Sequence, residues 1–161
     1  MGPQGLIEAI AARFPGETGE SSFDGDDLAL TVRRGSLIAV AGFLMGTPHS
    51  FRMLLDLTCV DRQASGGGFE MVYHLNCLAP PRRVRLRVRL EAADPSVDSL
   101  TGLWKNADWL EREVYDMFGV VFNGHPNLKR ILMYEGFEGF PLRKDYPLRR
   151  RQPRADRGSG S

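Results

Sequence analysis

Cysteine is scarce in this sequence: Cys59 and Cys77 are the only two. Two thiols so placed make no CxxC pair and no complete zinc or iron–sulfur ligand set. A disulfide between them is possible but not required, and a reducing compartment fits. Long hydrophobic runs are missing as well. The longest, Leu37 to Met45, is about half of the roughly 20 residues that a spanning helix needs. The opening residues carry no basic segment ahead of an apolar core, so no secretory signal is read there. The expectation is a chain that is not an integral membrane protein, with peripheral attachment left open. Phosphate-binding glycine loops are absent too: there is no GxGxxG and no GxxxxGKS/T, and Gly66-Gly67-Gly68 follows neither pattern. NAD, flavin and nucleoside triphosphate sites therefore have no support in the sequence. No GxSxG nucleophile motif occurs either.

An excess of one charge is also lacking. Lys+Arg is 21 and Asp+Glu is 20, which excludes a strongly basic or acidic chain. The balance hides an asymmetry. Residues 1–30 hold six acids against Arg13, whereas residues 143–157 hold seven bases against Asp145 and Asp156. The length of 161 residues suits one domain, or one domain with an arm.

The apolar pattern predicts a short helix over residues 5–14, ended by Pro15-Gly16, then a polar acidic loop to Asp26. Leu28 to Arg33 reads as a strand. Ser36 is a candidate N-cap for a helix over Leu37 to Met45, with Leu37, Val40, Ala41 and Leu44 on one side. Met53 to Val60 and Phe69 to Leu78 read as strands around the glycine turn. His49 is expected in a surface turn, and His74 on the less buried face of its strand. The cleanest pattern follows, with Arg83, Arg85, Arg87 and Arg89 alternating with Val84, Leu86, Val88 and Leu90. Period two means one face buried and the other either wet or bound to an acidic partner or phosphates. Asp94-Pro95 resembles a cap and first helical turn, which predicts a short helix to Trp104. A second helix is expected over Ala107 to Phe118, stopped by Gly119. Residues 119–150 lose periodicity but are rich in aromatic residues, as expected for an arm that orders against something. Residues 151–161 are expected to be a disordered basic tail. The predicted fold is α+β: two layers, with a mostly antiparallel or mixed sheet, helices on one side, and an extended C-terminal arm. The division is residues 1–122 as the globular domain (1–26 weakly defined), 123–150 as the arm and 151–161 as the tail.

Chemistry concentrates in the second helix. Glu113 and Asp116 are spaced to share a helix face, and Arg112 and Asp116 are spaced to pair. With His125 nearby, the two carboxylates can be read as metal ligands or as a general acid and base. Their spacing matches no standard metal motif and no nucleophile accompanies them. His125 in Asn123-Gly124-His125-Pro126 reads more simply as a turn histidine bonded to a helix carboxylate or carbonyl. The run Arg149-Arg150-Arg151 can hold RNA or anionic lipid, but no nucleic-acid partner is expected.

The segment from Glu111 to Leu132 (EREVYDMFGVVFNGHPNLKRIL) closely resembles the signature of one family, the C subunit of respiratory complex I, which is the 30 kDa subunit of NADH–quinone oxidoreductase. Gly139 to Leu148 (GFPLRKDYPL) resembles its second signature, and Leu55 to Asp61 and Tyr73 to Leu75 resemble its strands. The resemblance covers roughly residues 27–150. It implies a subunit without its own cofactor: NAD, FMN, iron–sulfur clusters and quinone belong to partner subunits. It further implies that this chain docks on the D subunit of complex I near the quinone site, with other peripheral-arm subunits such as B and I nearby. The location implied is the cytoplasmic face of the bacterial inner membrane, reached only through the complex. The chain stops soon after the second signature, which reads as the form not fused to the D subunit. The equivalent subunit of an energy-converting hydrogenase or related complex is the alternative. No catalytic residue is expected. Glu111, Arg112, Glu113 and Asp116 are expected to form a polar hub with Gly119, His125, Pro126 and Arg130, fixing the bend where the arm leaves the domain. Pro141, Leu142, Arg143, Lys144, Asp145, Tyr146 and Pro147 are the expected contacts with the D subunit.

Overall fold

The computed structural model describes residues 2–25 and 27–152. Helix α1 (Pro3–Arg13) has a proline in its first turn and buries Leu6 and Ile10. Strands β1 (Thr18–Asp24) and β2 (Asp27–Val32) form an antiparallel hairpin. Helix α2 spans Leu37–Met45 and buries the four predicted residues. Three long strands follow in an antiparallel meander: β3 (Met53–Asp61), β4 (Phe69–Leu78) and β5 (Pro81–Leu90). Strand β2 then pairs parallel with β5, with Leu28 opposite Val84. The result is one mixed sheet of order β1-β2-β5-β4-β3. A separate parallel pair joins β6 (Ser96–Asp98) to β7 (Val121–Asn123), and helix α3 (Ala107–Phe118) lies between them in sequence.

The alternation in β5 is realised in full. Val84, Leu86, Val88 and Leu90 enter the core with Phe69, Met71, Tyr73 and Leu75 of β4, and the arginines occupy the opposite face. The helices pack on the core side, so the arginine face carries no helix. This is the α+β, helices-on-one-side arrangement that the pattern predicts.

Four local expectations are corrected. Residues 18–24, read as a loop, form β1. The strand is almost wholly exposed and has no apolar alternation to reveal it; its hydrogen bonds to β2 create it. The helix expected from Asp94-Pro95 to Trp104 does not form. The Asp94 carboxylate accepts from Ser96 Oγ and Arg34 Nη1, both at 2.6 Å. Residues 96–98 pair with β7 instead, which buries Val97, Leu100 and Trp104 along an irregular path. Ser36 does not cap α2 with its side chain; it ends a 3-10 turn, and its hydroxyl donates to Glu17 Oε2 at 2.5 Å. His49 is buried, not on the surface, with its ring 4.5 Å from that of Phe43. Burial first, and then the Arg82 guanidinium, lower its pKa. The expected disordered tail, 151–161, lies outside the described residues except for Arg151 and Gln152.

The segment between β5 and α3 also closes one rim of the sheet. Trp104 Nε1 donates to the Arg52 carbonyl at 3.1 Å, and Asn106 Nδ2 to the Leu54 carbonyl at 2.8 Å.

Candidate functional site, the fastened C-terminal arm

Helix α3 offers its buried face to the arm. It ends where Gly119 turns left-handed (φ +73°) and donates its N–H to the Tyr115 carbonyl at 2.8 Å. A Cβ at Gly119 would lie 2.6 Å from the Phe140 ring, so the close approach also requires glycine.

One turn before that stop lies Asp116, fully buried. Its Oδ2 accepts the backbone N–H groups of Ile131, Leu132 and Met133 at 3.1, 2.7 and 2.9 Å. Its Oδ1 accepts from Arg130 Nη1 at 2.8 Å. The same guanidinium donates through Nη2 to the Gly139 carbonyl at 2.8 Å and lies over the rings of Phe137 and Phe140. Asp116 thus gathers three successive arm amides around one carboxylate, and Arg130 ties that loop to the next turn. Burial alone would raise the pKa of Asp116. The amide of Met133, the Arg130 guanidinium and the amides of Leu132 and Ile131 outweigh it and hold the group below its ordinary value.

Arg112 does not pair with Asp116, as helix spacing allows. Its Nε and Nη2 donate to the carbonyls of Lys129 and Arg130, each at 3.1 Å, and its guanidinium lies over the Trp109 ring. Arg112 and Asp116 hold opposite ends of one short stretch of arm, the carbonyls of 129–130 and the amides of 131–133.

Glu111 belongs to a second cluster. Its Oε1 accepts the Leu100 amide at 2.7 Å, and its Oε2 accepts the Ser99 hydroxyl at 2.6 Å. The buried ring of His125 lies nearby, with Nε2 4.0 Å from Glu111 Oε2. Nδ1 of His125 accepts the Asn127 amide at 3.0 Å, so Nε2 carries the proton and donates to the Asp108 carbonyl at 3.1 Å. This is the turn histidine expected of Gly124-His125-Pro126, with Pro126 exposed beside it. Burial raises the pKa of Glu111 against the opposing hydrogen bonds from Ser99 and Leu100 and the influence of His125.

The expected single hub is therefore two clusters, and Glu113 is in neither. It is exposed on the outer side of α3 near Trp109, with no hydrogen bond or ion pair among the described residues. Glu113 and Asp116 do not share a face in practice, which removes the paired-carboxylate reading. Among the described residues no group of histidine, cysteine and acidic side chains is placed to hold a metal ion.

The second signature folds back on the domain. The Leu142 amide donates to the Met117 carbonyl at 3.1 Å, and the Lys144 amide to Asp61 Oδ2 at 2.8 Å. Arg143 donates to the Phe118 carbonyl and stacks over Phe69 and Phe140. Tyr146 stacks on Phe137 with ring centres 6.2 Å apart, and Gln152 donates to its hydroxyl. Pro141 is half-buried, whereas Lys144, Asp145 and Pro147 expose their side chains. Sequence reasoning missed Asp61 as a fastener. Burial would raise its pKa, but the amides of Lys144 and Gln63 and the Gln63 side chain lower it. Its only sequence signal was its place at the end of the Leu55–Asp61 strand. Among the side chains the arm leaves outward are three leucines, Leu132, Leu142 and Leu148, and Trp109 is exposed on the adjoining helix.

The model of the family described as respiratory-chain NADH dehydrogenase, 30 Kd subunit, matches residues 30–152. The C subunit of NADH-quinone oxidoreductase from Roseiflexus castenholzii is 48% identical over 147 residues, covering 91% of this chain and 84% of that one. The C subunit from Citrifermentans bemidjiense is 44% identical over 122 residues, covering 76% and 75%. Among solved structures, a trypsin-resistant fragment (1–134) of Nqo5 superposes with a TM-score of 0.67 at 28% identity, covering 78% of this chain and 98% of the fragment. A chain of the membrane-bound sulfane sulfur reductase, an archaeal respiratory membrane complex, shares the fold with a TM-score of 0.73 at 21% identity, covering 90% and 85%. Both arm clusters fall inside the matched span, and the chain belongs to the family of the 30 kDa subunit, or C subunit, of respiratory-chain NADH dehydrogenase.

Proposed function

We propose that this chain is the cofactor-free C subunit in the peripheral arm of an NADH:quinone oxidoreductase, the complex that couples NADH oxidation and quinone reduction to proton translocation. It supplies shape, not electrons, and is not catalytic alone. NAD, FMN, iron–sulfur clusters and quinone sit in its neighbours. Its docking partner is the D subunit, near the quinone site, with B and I as further neighbours. The complex holds it at the cytoplasmic face of the bacterial inner membrane. No helix among the described residues is long and apolar enough to cross a membrane, in keeping with attachment through partners. The relatives named above are NADH-quinone oxidoreductase subunits, which favours this reading over the equivalent subunit of an energy-converting hydrogenase.

The observation that carries the docking mode is the arm. Two buried carboxylates, Asp116 and Asp61, fix its backbone to the domain while Leu132, Leu142 and Leu148 point outward. Exposed apolar side chains on a preorganised backbone suit a partner interface, because little chain entropy remains to be lost on docking. The test is co-purification with the D subunit of the same organism. Chains cut after residue 122, or carrying L132D/L142D, are expected to lose the partner. Undiminished co-purification of both would refute the arm as the docking element.

A further inference from the structure

The arginine row of β5 has no part in that reading. Arg83, Arg85, Arg87 and Arg89 stand on the sheet face without helices, beside Asn76, His74 and Val72 of β4 and Ala29 and Thr31 of β2. Arg89 pairs with Glu20 at 2.9 Å, and Arg62 on the same face pairs with Glu70 at 3.0 Å. The three between them and the hairpin turn behave differently. Arg83, Arg85 and Arg87 have no hydrogen bond or ion pair among the described residues, and Nε of Arg87 is buried without an acceptor. Burial, reinforced by Arg85 and then opposed by Asp56, lowers the pKa of His74, so its neutral ring adds no charge to the row.

Shape narrows the ligand. Open clefts lie at both ends of the row. One, of about 230 Å³, is bounded by Ser22, Asp27, His74, Arg83 and Arg85; the other, of about 440 Å³, by Ser65, Gly67, Glu70, Arg87 and Arg89. Acids ring the row: Asp24 and Asp27 at the hairpin turn, Glu20, Glu70 and Asp56. With Arg62 and Arg89 already paired, the remaining basic charge lies along one strand, a line that suits an extended chain better than the broad face of an anionic membrane. Among the described residues the rings open to nucleobases along the row are His74 and Phe23, both at the first cleft; no exposed ring lines the second, so successive bases would find no stacking platform along the row. Side chains at alternate positions of an extended chain repeat every ~6.8 Å, the same repeat as the arginines.

We propose that this face docks an extended acidic segment of a neighbouring polypeptide, its carboxylates at alternate positions meeting Arg83, Arg85 and Arg87. The proposal rests on the chain working within an assembly, not on which neighbour the arm meets.

Binding of a labelled ten-residue Glu-Thr repeat to the full chain, followed by fluorescence anisotropy at low salt, tests it. Saturable binding is expected, weakened at least tenfold by R83Q/R85Q/R87Q and less than twofold by R149Q/R150Q/R151Q. A thirteen-residue peptide with five glutamates at every third position is expected to bind several-fold more weakly. Four results would overturn the proposal: no saturable binding, equal affinity for the two peptides, loss through the tail triple instead of the row triple, or row-dependent binding of phosphatidylglycerol vesicles in preference to the peptide. If the row triple melts early, R85Q alone decides, with at least a threefold loss expected and no loss refuting. The readout is independent of co-purification with the D subunit, so either idea can fail without the other.

Discussion

Replacing Asp116 with alanine probes how the arm is held. The carboxylate is fully buried and accepts three backbone N–H groups and one guanidinium. A hydrogen bond to a charged group contributes about 1.5–3 kcal/mol, but four that share one oxygen pair are not additive. Removing one partner of a buried ion pair costs about 3–5 kcal/mol, and D116A is expected to loosen the arm by that amount. The loss falls first on the segment around Ile131 to Met133, so local opening should precede global unfolding. In amide hydrogen exchange, 3–5 kcal/mol corresponds to about 10²- to 4 × 10³-fold faster exchange at residues 131–133. Strands β4 and β5 should exchange much as before. Less than tenfold acceleration at those three amides would refute the carboxylate as their anchor. The pH dependence has a definite sign. The pKa of Asp116 lies below its ordinary 3.8 in the fold, so its stabilisation is full above that value and fades as pH falls through the lowered one. D116A should abolish that acid-dependent step.

Glu111→Gln should behave in the opposite way. Burial, the largest influence, raises the pKa of Glu111 above its ordinary 4.5, so its contribution is full below that value and declines as pH rises through the raised one. The glutamine still accepts the Leu100 amide and carries no charge, so E111Q should equal the parent or exceed it by about 1 kcal/mol at neutral pH. Urea unfolding at two pH values checks this; a loss above about 2 kcal/mol would contradict it. Gly119→Ala should cost about 1–2 kcal/mol for the left-handed backbone and about 1–3 kcal/mol more for crowding Phe140. A thermal melt within about 0.5 kcal/mol of the parent would contradict that.

Helix α2, strand β4 and helix α3 have the ends read from the sequence, because apolar period and terminators such as Gly119 act over a few neighbouring residues. Strand β1 was illegible, since its pairing with β2 is its main support. The Asp94-Pro95 signal misled because Asp94 takes the distant Arg34 and the neighbouring Ser96 hydroxyl, and Glu111 takes the Leu100 amide. The site shows the same divide. Glu111, Asp116, His125 and Arg130 were found by residue type and motif. Their partners were not, since helix spacing states what can meet on one helix but not which carbonyls and amides arrive from residues 129–133. Thus Arg112 and Asp116 grip the arm and not each other, and Glu113 stands apart.

The donors from Trp104 and Asn106 to the carbonyls of Arg52 and Leu54 have a consequence for the protein before it joins its neighbours. A five-stranded sheet has two rims, and an unpaired apolar rim invites strand-by-strand aggregation. At the β3 rim, where Met53 and Leu55 are exposed, side chains from the following segment occupy the start of the strand. At the other rim, β1 is mostly polar and carries Glu20 and Asp24. Neither rim offers a long apolar template, so an orphan copy waiting for assembly is guarded against seeding its own precipitation.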